Sequence, residues 1–174
     1  MKKFLLKFAI VIIKRFKDEK ITDIAFIEKI ISEMRELFKR DNIKKDELEN
    51  FHYQFKYYDS NLDKLVSKCN KDEKLKIRQA ILAARVLCWA LRFETSSDNE
   101  LVKIMNERKN MIIKKDASHS SYEIFMQKLL ESGWSQDNDT KVKECNISKV
   151  KEWCRAKMDE LQDLAIEKKK QIIS

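Results

Sequence analysis

The sequence predicts an all-α fold, a compact bundle of about seven or eight helices around a central apolar helix at residues 72–94. The 174 residues include one glycine and no proline, where average usage gives about 12 glycines and about 9 prolines. Because these two residues supply the backbone angles of tight hairpins and sharp turns, a chain nearly without them favours helices joined by short polar turns. Apolar residues make up 43% of the chain and charged residues 38%, which is typical of helices with an apolar stripe and a charged outer face. We expect one domain over residues 1–174.

The first predicted helix covers residues 3–17. At about 100° per residue, Lys3, Lys7 and Lys14 fall on one narrow stripe, and apolar side chains cover most of the remaining surface. Three interpretations are open: the helix packs in the bundle, lies in a membrane interface with its lysines at the headgroups, or docks into a partner's groove. We favour packing in the bundle, and the alternative is that residues 1–20 form a semi-independent basic amphipathic helix. The apolar run is too short to span a bilayer.

Three further helices are expected before the central one. The second begins at Thr22 and Asp23, which suit an N-cap, and its apolar residues recur at alternating spacings of three and four. The third follows a break at residues 41–42 and ends at a turn over residues 59–61, and a short helix ends near Asn70. The residues expected to face inward are, in chain order, Ile24, Ile27, Ile31, Met34, Phe38, Leu48, Phe51, Phe55, Tyr58, Leu62, Leu65 and Val66.

The central helix is apolar on nearly all sides from Ile81 to Leu91. A helix of this kind lies in the middle of a bundle. We therefore expect Trp89 and its neighbours to form the structural centre.

The remaining helices have recognisable starts. Ser-x-x-Glu capping boxes at Ser97 and Ser120 begin two of them, and Gly133 suits the residue that follows the end of the second. Residues 134–140 form the longest polar linker, and the last helix, with a break near residues 146–148, runs to the end of the chain. Its inward residues are expected to be Val150, Cys154, Leu161, Leu164 and Ala165.

The candidate binding residues lie on the central helix. Lys71, Arg78, Arg85 and Arg92 are each seven residues apart and form one stripe, which Trp89 flanks. The stripe has three interpretations: a face that meets solvent, ion pairs with acidic residues of a neighbouring helix, or a binding surface. Guanidinium groups beside an aromatic edge suit phosphate or carboxylate ligands.

The sequence contains few of the residue patterns that catalysis usually requires. We interpret His52 as a partly exposed structural residue and His119 as a turn residue before a helix cap. The four cysteines (Cys69, Cys88, Cys145 and Cys154) contain no CxxC pair, and we expect them to be reduced and metal-free. Loops that cradle phosphates or dinucleotides need glycines that are not present. We therefore predict a protein that is not an enzyme and has neither a cofactor nor a metal site.

The function predicted from these features is that of a cytoplasmic, non-enzymatic protein that occupies the surface of a partner protein, as adaptors, immunity proteins and inhibitors do. The composition also fits an AT-rich genome and thus a phage, mobile-element or pathogen factor. The alternative is a nucleic-acid-binding accessory protein that uses a basic helical face, since the net charge of +8 favours anionic partners. A third candidate is a peripheral membrane protein held by residues 1–17. Steep salt dependence would distinguish phosphate binding from a mostly apolar interface.

Overall fold

The computed structural model describes residues 23–97, 99–100, 103, 120–131 and 147–173. These residues form six helices and no strand, which confirms the all-α class for this part of the chain. The predicted number of seven or eight helices is slightly too high for the described residues, and the helix predicted over residues 3–17 lies outside them. The helices are α1 (Asp23–Lys39), α2 (Lys45–Ser60), α3 (Leu62–Leu65), α4 (Lys71–Thr95), α5 (Ser120–Glu131) and α6 (Ile147–Ile173).

Helix α4 occupies the centre of the described bundle, as the sequence predicted. It packs against α2, α5 and α6, and its side chains between Ile81 and Leu91 are nearly all buried. Helix α4 begins with a capping box that the sequence analysis did not predict. The Asn70 side chain accepts a hydrogen bond from the Glu73 amide at 2.9 Å, and the Glu73 carboxylate accepts one from the Asn70 amide at 3.0 Å.

The helix directions follow from contacts at the two ends of α4. Lys168 of α6 pairs with Glu73 at the start of α4 (Nζ–Oε2 3.0 Å), and Lys151 pairs with Glu94 at its end (Nζ–Oε2 2.6 Å), so the two helices are antiparallel. Helix α1 packs against α6 and α4, and the short α5 packs against α4 and α6. None of the described helices combines the length and apolar character that crossing a bilayer requires.

The inward faces agree with the prediction for α6 and differ from it for α1. All five residues predicted to face inward from α6 are buried. On α1 the buried stripe is broader than the predicted seam, because α1 packs against both α6 and α4. Phe26, Ile30 and Leu37 are buried in addition, while Ile24 and Phe38 are only partly buried.

Candidate partner-binding site

The arginines of the predicted stripe lie on the side of α4 that packs against α2. Arg78 is half-exposed and forms an ion pair with Asp59 near the end of α2, with Nε–Oδ1 at 3.3 Å. Lys71 is exposed in the first turn of α4. The stripe therefore runs along a helix–helix interface, and its members have different surroundings.

Arg85 is an interior residue. Only 4% of it is exposed, and the described residues provide no hydrogen-bond acceptor for its Nε. Burial lowers the pKa of its guanidinium, an effect that the nearby Asp59 carboxylate opposes. Its charge is therefore closed off from a partner while α2 and α4 remain packed together.

Arg92 lies where the interface meets solvent. Its Cζ is 5.5 Å from the ring centroid of Trp89, a distance suited to a cation–π interaction. Its Nε is buried, and no acceptor for it is found in the described part of the chain. A buried donor without an acceptor costs about 1–3 kcal/mol, and because this atom is buried it is closed to a ligand in this conformation.

A small cleft opens beside Arg92 between α2 and α4, and we call it the α2–α4 cleft. Its volume is about 120 Å³. Its lining includes Glu49 and Arg92, which have opposite charges. Tyr53, 55% exposed, lies at its rim. The lining residues are Leu48, Glu49, His52, Tyr53, Cys88, Trp89 and Arg92.

Aromatic and polar contacts hold the walls of the cleft in place. The Trp89 ring lies edge-on to Tyr122 at 5.0 Å and to His52 at 5.9 Å between centroids. His52 Nε2 is 3.3 Å from the Ser121 hydroxyl, which links α2 to the start of α5. Ser121 is fully buried, so its hydroxyl is closed to a substrate.

The described cysteines have raised pKa values, which disfavour the thiolate form that a nucleophilic cysteine needs. Cys69, Cys88 and Cys154 are free and buried. Burial raises the pKa of Cys69 and of Cys154 to about 12 and also raises the pKa of Cys88. Within the described ranges, no three His, Cys, Asp or Glu residues are placed to hold a metal ion. Cys145 and His119 lie outside these ranges.

A second polar cluster, which we call the Glu33 cluster, links α1 to α2. Glu33 Oε1 accepts hydrogen bonds from Gln54 Nε2 at 2.5 Å and from the Tyr58 hydroxyl at 3.1 Å. Burial raises the pKa of the Glu33 carboxyl to about 7, although Lys29 and the two hydrogen bonds act in the opposite direction. The sequence reading missed this cluster, because a glutamate in a charged helix is most simply read as exposed.

Two of the predicted binding residues, Trp89 and Arg92, line the cleft, whereas the sequence analysis singled out no binding residue on its opposite wall. Glu49 and Tyr53 are four residues apart on α2, so their shared face was readable. The sequence does not show the register between α2 and α4 that brings this face to Arg92. The predicted membrane or partner residues Lys3, Lys7 and Lys14 lie outside the described residues.

Comparison with known proteins adds no assignment. No family model, no curated protein and no solved structure matches this chain.

Proposed function

We propose that this protein is a non-enzymatic binding protein that acts by occupying the surface of another protein, in the manner of an adaptor, an immunity protein or an inhibitor. The observation that carries the proposal is the α2–α4 cleft, where Arg92 is held over Trp89 at the border between core and solvent. Arginine and tryptophan are among the residue types that contribute most binding energy in protein interfaces.

The size of the cleft supports a protein partner. Sites for drug-sized ligands measure roughly 300–1,000 Å³, and an apolar cavity of about 150 Å³ holds benzene. The α2–α4 cleft, at about 120 Å³, suits a single amino-acid side chain inserted by a partner.

The groups around the cleft support binding over catalysis. The Cys88 thiol lines the cleft, but burial raises its pKa and keeps it protonated at neutral pH. A nucleophilic cysteine requires the opposite shift. Ser121, the partner of His52, is buried. The proposal places the protein in the cytoplasm, where such thiols stay reduced.

The two other candidate functions have less support. Nucleic-acid binding needs cations that are free to contact successive phosphates, whereas Arg85 is buried and Arg78 pairs with Asp59. Membrane attachment through residues 1–17 concerns a segment outside the described residues. On α6, several basic residues that could contact phosphates are also in ion pairs with glutamates, namely Lys151, Lys157, Lys168 and Lys169.

The proposal is tested by affinity purification of the full chain, with identification of both the proteins and the nucleic acids that co-purify. The test variant is Arg92→Gln. The matched control is Arg155→Gln, because Arg155 also stacks on an aromatic ring, with its Cζ 4.9 Å from the centroid of Phe38, but lies on α6. We expect a protein in stoichiometric amount with the wild type and with the control, and at least about tenfold less with Arg92→Gln.

Two results would contradict the proposal. One is recovery of nucleic acid that high salt releases. The other is a protein partner that Arg92→Gln retains as well as the wild type does.

A further inference from the structure

Arg92 has hydrogen-bonding capacity that the described residues leave unused. Its side chain lines the cleft, and its Cζ lies 5.5 Å from the Trp89 ring centroid. Its Nε is buried, so the donors open to a ligand are those of the guanidinium end. A guanidinium beside an aromatic ring keeps its donors along the edge of its plane, where a carboxylate can accept two parallel hydrogen bonds. The cleft therefore contains a positioned donor group with room beside it.

We infer that the α2–α4 cleft receives one carboxylate side chain, an aspartate or a glutamate of the partner protein, which pairs with Arg92. This inference rests on the proposed function and specifies the chemistry of the partner. The volume of about 120 Å³ accommodates such a side chain. The carboxylate would pair with the part of the Arg92 guanidinium that lines the cleft, because the buried Nε is closed to it.

Glu49 on the opposite wall favours a single carboxylate over a polyanion. A phosphate backbone would bring successive negative charges against Glu49, whereas one carboxylate can be directed at Arg92. The described cations do not continue from Arg92 as an exposed row, because Arg85 is buried. The arrangement therefore fits an acidic side chain of a protein better than a nucleic acid.

The apolar walls of the cleft would strengthen such a pair. Leu48 and Trp89 are buried, and the exposed ring of Tyr53 lies at the rim, where it would contact the residues that flank the acid. Contacts of this kind exclude water from a central charged pair. Removal of water makes the attraction between the two charges stronger.

The test selects peptides from a random display library against the full chain. Each selected peptide is then compared with a counterpart in which the acid is replaced by its amide. With the wild-type protein, we expect the amide peptide to bind about 10- to 100-fold more weakly. With Arg92→Gln, the two peptides should differ by less than about twofold, because the coupling is to Arg92.

Three further variants make the test specific. Arg92→Lys keeps the charge but not the fork of donors, so it should lose most of the preference for the acid. Glu49→Gln removes a like charge and should raise the affinity for the acidic peptide severalfold. Arg155→Gln should behave as the wild type, and thermal melts establish that each variant is folded.

The outcomes separate this inference from the proposed function. Peptides that depend on Arg92 yet bind equally well as acid and amide would overturn the inference and leave the proposed function standing. An acid preference that persists in Arg92→Gln would also overturn it. Selection of no peptide, together with salt-sensitive binding of a single-stranded oligonucleotide, would overturn both.

Discussion

Two polar clusters flank α2: one joins helices through hydrogen bonds, and the other places a charged group at the border with solvent. In the Glu33 cluster, Gln54 and Tyr58 both donate to Glu33 Oε1 and join two helices, while the buried Oε2 has no hydrogen-bond partner among the described residues. In the α2–α4 cleft, Arg92 stacks on Trp89 while its Nε has no acceptor among the described residues. Each cluster thus has one buried polar atom without a partner among the described residues, but only the cleft has a partly exposed charged side chain that a ligand can contact.

The largest effect is expected from two tyrosines on the two sides of α2. Tyr58 is fully buried in the Glu33 cluster, and Tyr53 is mostly exposed at the rim of the cleft. Tyr58→Ala should lower the free energy of unfolding by about 3–5 kcal/mol, as for other buried aromatic truncations. Tyr53→Ala should change it by less than about 0.5 kcal/mol. Urea denaturation of both variants tests the difference, and equal losses would contradict it.

The second prediction uses the titration of Glu33. Its folded pKa, about 7, is above the usual 4.5, so the folded state binds more protons than the unfolded state between these values. The stability from protonated Glu33 is therefore complete below about pH 4.5 and is lost as the pH rises through about 7, with a total change of about 3 kcal/mol.

Glu33→Gln tests this pH dependence, because glutamine keeps an acceptor for Tyr58 but does not ionise. Relative to the variant, the wild type should lose about 3 kcal/mol between about pH 4.5 and about pH 8 in urea denaturation. Glu28→Gln is the control, since Glu28 is well exposed on the same helix. Parallel pH profiles for the wild type and Glu33→Gln would show that Glu33 has an ordinary pKa.

The third prediction concerns Arg85. Its Nε has no hydrogen-bond acceptor among the described residues, and its side chain is closed to solvent. Because burial disfavours its charge, Arg85→Met should raise the free energy of unfolding by about 1–3 kcal/mol, as replacement of buried charges by apolar side chains often does. The same variant should leave binding at the cleft unchanged. A loss of stability would mean that the Arg85 charge has a strong internal partner.

The smallest effect is expected for Arg78. Its ion pair with Asp59 joins a half-exposed side chain to one that is about one-third exposed. Surface pairs of this kind contribute about 0–1 kcal/mol and weaken with salt. Arg78→Gln should therefore shift the denaturation midpoint slightly at low salt and not measurably at high salt.

The sequence was sufficient to predict the central helix but not the different surroundings of its arginines. Residues 72–94 were identifiable because a helix that is apolar all round has to be enclosed. Arg85 and Arg92 share the same stripe, yet one is buried and the other borders a cleft. The difference depends on where α2 crosses α4, and this register depends on contacts between residues far apart in the chain.

The Glu33 cluster shows the same limit from the other side of α2. Tyr58 was predicted to face inward, which the structure confirms. That its hydroxyl would meet a carboxylate on α1 could not be read from local spacing, because the two residues belong to different helices. Local patterns predict which face is buried, whereas polar partners depend on how helices pair.

The buried thiols offer a way to measure how separate regions of this protein open. Cys69, Cys88 and Cys154 lie before α4, within α4 and within α6, respectively. At pH 7, a thiol whose pKa is about 12 is ionised in only about one molecule in 10⁵, so alkylation of the closed state is negligible. Pulsed alkylation would thus record local opening at each position, and the order of modification would rank the three regions by how readily they open.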